Sequence, residues 1–406
     1  MTEGTLLLLV AAVQFVNVLD FVMVVPLGPD FASALGIPVS ALGLVTGSYT
    51  LAAAVAGAAG SAFLDRFDRR SALAVAMVGL VLSTAAAGLA TGLPTLLAAR
   101  LAAGLFGGPA TSLSIAIVAD AVPPERRGRA MGVVMGAFSV ASVLGVPTAL
   151  WLSQAGGWRA PFLAVAGMGA LVVAGALVAM PPMRRHLDPG AAGSRGYAFL
   201  RDPAALLSLT ATATAMGATF SIVPNLAAFL QYNAGWPREH LGGLYMAGGI
   251  LSFAVLRVVG RAVDRFGAPA VAAAGTVVMV GNLAVDFWPR VPLLPGSVLF
   301  LLFIFASSLR NPSLASLASR VPRPGDRARF QSVQSAVQHL ASSGGAMAST
   351  ALLDTGPGGE LTGMHRVALL AGILSLALPL LLWRVQPRVA RREREPGAGG
   401  VEVAAP

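Results

Sequence analysis

Few ionisable side chains fall inside the long apolar runs of this chain, and such groups are costly enough in an apolar interior to be functional candidates. Asp20 is the first, with Gln14 and Asn17 six and three positions before it. Steps of three spread these side chains over about 120° of a helix. Arg100 is the second, in a run that must cross in the opposite direction. At ~1.5 Å per residue, Asp20 stands about 23 Å and Arg100 about 28 Å from the same face, so the two reach similar depth. Paired, the guanidinium would hold the carboxylate ionised; separated, a carboxylate isolated in low dielectric takes up a proton. That is a reversible proton site. The competing reading is a buried pair that only ties two helices together.

Other polar groups fall at helical spacing or beside prolines. Gln331, Gln334, Gln338 and Ser342 form a stripe with His339 alongside. Such a stripe must face protein or water rather than lipid, as cavity lining or as interhelical hydrogen bonding. Asn225 follows Pro224, and a proline frees a backbone carbonyl of the kind that lines solute pathways. Arg310 and Asn311 precede Pro312, where an arginine would meet an anionic group or cap the broken backbone. Arg257 and Asp286 stand near run ends, where snorkelling accounts for them. Trp236, Trp288 and Trp383 fit an interfacial belt. Arg100, Gly104, Gly107, Gly108 and Thr111 share a face of small residues suited to close helix approach.

The elements that must carry these residues are membrane helices. The 406 residues are 56% apolar and 11% charged, with a mean hydropathy of +0.75; a soluble domain is about a quarter charged. Apolar runs long enough to cross a bilayer recur at roughly 5–27, 41–64, 71–92, 95–119, 130–153, 160–181, 204–231, 240–263, 268–288, 295–318, 330–353 and 366–386. This predicts an all-α membrane protein of twelve transmembrane helices. All 28 basic residues are arginine. Alternate loops and the C-terminal tail hold 21 of them, against Arg159, Arg238, Arg290 and Arg366 in the opposite loops. Positive residues mark the cytoplasm, so both termini are expected there, in a bacterial inner (plasma) membrane. Met1 to Gly4 lacks a basic n-region, so the first run is expected to stay as an anchor.

The same distribution makes the +10 charge an orientation signal and excludes nucleic acid as its reason. There is no cysteine, and the histidines at 186, 240, 339 and 365 have no metal-ligand spacing. No nucleotide-binding motif and no Ser-His-Asp set is present. No metal, cofactor or enzymatic activity is expected.

Charge clusters recur at nearly one interval. GSAFLDRFDRR at 60–70 carries Asp65, Arg66, Asp68, Arg69 and Arg70; GRAVDRFG at 260–267 carries Asp264 and Arg265, with Asp65 and Asp264 199 positions apart. Glu125, Arg126 and Arg127 of PPERRGR answer Asp326 and Arg327 of PRPGDRAR, with Arg126 and Arg327 201 apart. Two matches at nearly one offset argue for a duplicated six-helix unit. The expected organisation is a first bundle over 1–181, a linker over 182–203, a second bundle over 204–387 and a disordered tail over 388–406. Asp120 is expected to join Glu125 and Arg126 in a network with the first cluster, and Asp68 to serve as a partner for Arg69 or Arg129. Aspartates are not needed for orientation, so a gate is favoured over a plain topology signal.

At these residues the chain resembles the major facilitator superfamily. The cluster at 60–70 resembles that family's G-x-x-x-D-R-x-G-R-R signature, with Asp68 at the second glycine; Gly260, Asp264, Arg265 and Gly267 match more cleanly. Arg100 and Gly104 resemble the fourth-helix signature of proton-coupled members. Gly145-Val146-Pro147 and the GWRAPF at 157–162 resemble the fifth helix and outer loop of drug and sugar exporters, although strict drug antiporters place glycine directly before proline. The resemblance implies two six-helix bundles, alternating access, and proton-coupled export of small organic molecules by a monomer. Uptake by symport stands as the alternative, and a non-transporting sensor or enzyme as a more distant one. It also implies that the loop carrying Asp65 stabilises the state closed to the cytoplasm. The expected partners are a small-molecule substrate, protons and the lipid bilayer.

Overall fold

The computed structural model describes residues 1–184, 198–287, 294–323 and 326–394. Arg185, His186, Arg195, Trp288, Arg290 and the side chains of Asp65 and Glu125 lie outside the described residues.

The chain is nearly all helix. The first half holds α1 (Glu3–Val22), α2 (Val24–Leu35), α3 (Leu42–Phe63), α4 (Arg69–Gly88), α5 (Leu93–Ala121), α6 (Pro124–Val140), α7 (Val146–Gly156) and α8 (Arg159–Ala179). The second holds α9 (Pro203–Ala228), α10 (Leu241–Phe266), α11 (Ala268–Asp286), α12 (Gly296–Ala318), α13 (Arg327–Leu352) and α14 (Met364–Arg394). α1 with α2, and α6 with α7, are single crossings broken by proline. Pro26 cannot donate to the Val22 carbonyl, so the helix turns at Met23. Pro147 likewise leaves a π turn at Ala141–Gly145. Counted this way, six crossings lie in each half, forming two six-helix bundles. A two-residue β-ladder pairs Asp354–Thr355 with Leu361–Thr362.

Eleven described segments are long and apolar enough to cross a membrane. α13 is the twelfth crossing: at 26 residues it is long enough but more polar. The reason is its position, packed between α3 of the first bundle and α9 of its own, so that much of its surface meets protein rather than lipid. α14 also differs from expectation. It continues to Arg394 instead of giving way to disorder at 388. Val389 is buried and Arg392 reaches Asp202, 2.5 Å away, which anchors the extra turns.

Contacts between the halves favour one face. α3 packs on α13, α2 on α9, and α10 on α7 and the π turn, whereas the principal neighbours of α6 belong to its own half. A Cβ at Gly43 would strike the Ala346 carbonyl, and Ser343 donates to the Gly47 carbonyl at 2.9 Å. Both lie towards the arginine-poor face. Towards the arginine-rich face, Gly128, Gly132 and Gly136 on α6 and Gly260 on α10 have open space beside them. The bundles therefore part in that direction.

Candidate functional site

Asp20 lies two residues before the end of α1, where Pro26 has forced the turn. Its carboxylate is fully buried. Arg100 on α5 donates from Nη1 to both carboxylate oxygens, at 2.9 and 3.1 Å, and its Nη2 lies 3.5 Å from the Asp20 carbonyl. Thr84 on α4 donates to Oδ1 at 2.8 Å. Burial of both charges is offset here by short charge-assisted hydrogen bonds. The depth estimate from sequence thus becomes a direct contact.

A second layer fixes the pair. The Arg100 guanidinium stacks 4.6 Å from the centre of the Tyr49 ring, a cation–π contact strengthened by dehydration. Tyr49 donates to Asn17 Oδ1 at 3.1 Å, and Asn17 donates to the Gly107 carbonyl at 3.0 Å and Thr111 at 2.7 Å. Gly104 and Gly107 make room for this: a Cβ at either would collide with Tyr49, at its carbonyl or its hydroxyl. Small-residue packing is thereby seen at these glycines. Tyr49 also stacks on Phe21, which stacks on Phe220 of the other bundle at 6.0 Å. From Thr84, Asp20, Arg100 and Tyr49 the contacts thus branch, one arm reaching Asn17 inside the first bundle and the other reaching the seam between the halves through Phe21 and Phe220.

The remaining polar residues scatter. Gln14 is buried with Oε1 unpartnered, whereas Asn17 is consumed by the chain's own groups. Asn225 donates to Ser349 on α13 at 2.9 Å, while its Oδ1 has no partner. Gln334 is buried, Gln338 exposed and Asn311 half-buried. His339 bonds the Ser335 carbonyl one turn earlier, at 2.9 Å. Arg310 is buried on α12 with Nε and Nη2 unpartnered. Asp286 is a correction: it is fully buried, accepting from Leu294 N–H at 3.0 Å, instead of reaching an interface. Arg257 is exposed and stacks over Phe253.

The charge cluster at the arginine-rich face binds the first bundle to itself. Asp120 pairs with Arg69 at 3.2 Å, Arg126 with Glu3 at 3.0 Å, and Arg70 with the Leu177 carbonyl. The expected Asp120–Arg126 linkage is replaced by these partners, because Arg126 points back over the start of α1. Asp68 contacts neither Arg69 nor Arg129 through its side chain. It caps α4 by accepting from Ser71 N–H at 3.1 Å, and also holds Met183 N–H and Arg184. Partial burial pushes its carboxyl up, but these hydrogen bonds outweigh it and hold the group below its usual range. Arg66, Asp264 and Arg265 are exposed, Arg265 lying over Phe266.

Sequence reasoning missed the cross-bundle contact at the opposite face. Asp30, midway along α2, receives Arg238 from just before α10 (Nε at 2.7 Å) and Ser153 from α7 at 2.7 Å. A second contact between the halves joins Thr355 to Ser40 at 3.1 Å. The available signal was the rarity of arginine in those loops. Thr84 and Tyr49 carried none, because a lone hydroxyl or ring in an apolar helix is ordinary.

Two six-helix bundles closed at one face and parted at the other, with a buried ion pair in the first, are the frame of a membrane transporter. The family model of the Major Facilitator Superfamily matches residues 10–346, and the chain belongs to that family; it is a transporter and not an enzyme. It is 31% identical over 317 residues to a chloramphenicol resistance protein of Streptomyces lividans, covering 74% of this chain and 76% of that one. It is 25% identical over 322 residues to the purine ribonucleoside efflux pump NepI of Escherichia coli O157:H7, covering 78% and 77%. Among solved structures, the inward open xylose transporter XylE from E. coli superposes with a TM-score of 0.72 at 17% identity, covering 95% of this chain and 96% of that one.

Proposed function

We propose that this transporter exports small organic molecules in exchange for protons, by alternating access, in a bacterial inner membrane with its arginine-rich face and both termini in the cytoplasm. The observation that carries this is the buried Asp20 held by Arg100 and Thr84. A carboxylate at such depth in a membrane helix is costly and is retained for function. Exchange of Arg100 for a proton, as the helices move, turns it into a coupling site. Two relatives of the chain bear names that speak of resistance or efflux, which supports export. The first charge cluster acts as the cytoplasmic gate in this reading, with Asp65 at its centre, and the transporter works as a monomer.

The test uses proteoliposomes with an imposed inward proton gradient and labelled candidate solutes. Wild type moves solute against the proton flow. D20N keeps its fold and loses gradient-driven transport. Full coupling in folded D20N, or solute movement together with protons, would overturn the reading. D65N is expected to raise the reactivity of cysteines placed on the cytoplasmic side of α6; unchanged reactivity would remove the gate.

A further inference from the structure

Arg310 lies eight residues before the end of α12, about 12 Å into the bundle from the arginine-rich face. It is 1% exposed. Its stem is pressed against α11, where a Cβ at Gly275 would lie 2.9 Å from Arg310 Cγ. Its Nε and Nη2 find no acceptor, and neither do the hydroxyls of Thr276 on α11 and Ser307 on α12, each next in sequence to a residue of that contact. Neither Nε nor Nη2 caps backbone freed by Pro312, the sequence-based alternative for this arginine.

A buried guanidinium without a counter-charge is strongly destabilising, so the source of its anion is a physical question. The described chain does not supply one. In the second half, Asp202, Asp264 and Asp326 stand at the arginine-rich ends of helices, and Asp286 ends α11 about 27 Å from its start. Glu239, Asp354 and Glu360 belong to the opposite face. Asp20, the carboxylate buried deep in the first half, is already occupied by Arg100 and Thr84. The unpaired Nε and Nη2 form the side-on edge of the guanidinium, whose two parallel N–H groups match the two oxygens of a carboxylate.

We propose that Arg310 is a binding point for a carboxylate carried by a transported solute, with the Thr276 and Ser307 hydroxyls beside it. This rests on the transporter reading above and deepens it by naming a class of solute. The same chemistry would accept a free inorganic anion, and the test separates the two.

Purified full-length protein is titrated with sodium benzoate, benzyl alcohol or sodium chloride at constant ionic strength, and thermal unfolding is followed. Benzoate is expected to raise the midpoint saturably by about 2–4 °C, with no response to benzyl alcohol and less to chloride. R310Q should lose the benzoate response, and R310K should weaken it because the fork is gone. Without anion, R310M should unfold no earlier than wild type, since removing an uncompensated charge costs little. An equal response to benzyl alcohol, a response to chloride alone, a retained response in R310Q, or early unfolding of R310M would each overturn the proposal. Because no flux is measured, a failed transport assay leaves this result standing and a failed binding assay leaves proton-coupled export standing.

Discussion

Among the described residues, each bundle buries one arginine almost completely, Arg100 and Arg310, and the two are treated in opposite ways. Arg100 has a carboxylate, an aromatic face and a positioned hydroxyl behind its partner. Arg310 has a closely packed stem and an empty fork. The halves carry similar loop sequences, yet only the first completes its charge site from its own chain. Two bundles with the same number of crossings can therefore hold polar interiors that take different tasks. The loops repeat the lesson. Where the second half turns at Gly267 with φ +84, the first has Asp68 with φ −55 and a side chain that caps α4. One half solves the turn with backbone freedom and the other with hydrogen bonds.

The largest test of this asymmetry is R100A, which leaves Asp20 buried and uncompensated and should cost about 3–5 kcal/mol of stability, measured by unfolding in detergent. A loss no greater than that of R310M would erase the contrast. G107A comes next: its methyl would meet Tyr49 Oη and Asn17, for a cost of about 1–3 kcal/mol. G136A, with open space, should be neutral or slightly stabilising. G267A forces a side chain into an extended, positive-φ backbone (φ +84, ψ 151) that essentially only glycine adopts and should cost about 1–3 kcal/mol, whereas D68A loses a cap worth about 1 kcal/mol. Equal tolerance of both would mean that the loops are not solved differently. The smallest effect is one of pH. Asp68 and Asp202 both have lowered folded values. Their stabilisation is complete above the ordinary 3.8 and is lost as pH falls below it, through the folded value. D68N and D202N should flatten acid unfolding in that range.

Helix number and the Asp20–Arg100 depth match were legible because each rests on length, period or charge, which sequence carries directly. α13 was legible as a crossing although its polarity set it apart. Tyr49 was not, since its role depends on Gly104 and Gly107 removing bulk from a different helix. The Asp30–Arg238 contact joins residues 208 apart, and no local pattern points across that distance. Asp68 was read for the glycine it replaced; its acceptor role required knowing that Met183 and Arg184 return beside it.

The close fit of Gly43 and Gly47 against Ala346 and Ser343 places a tight contact between the halves towards one end of long rods. α13 has 26 residues, a length of about 39 Å. If that contact is kept as a fulcrum, the far end at Arg327 lies 19 residues, or about 28 Å, from Ala346, and a tilt of about 10° carries it through about 5 Å. Leverage follows: displacements of an ångström or two around Asp30, Arg238 and Ser153, close to the fulcrum, are magnified several-fold where α6 and α10 stand apart.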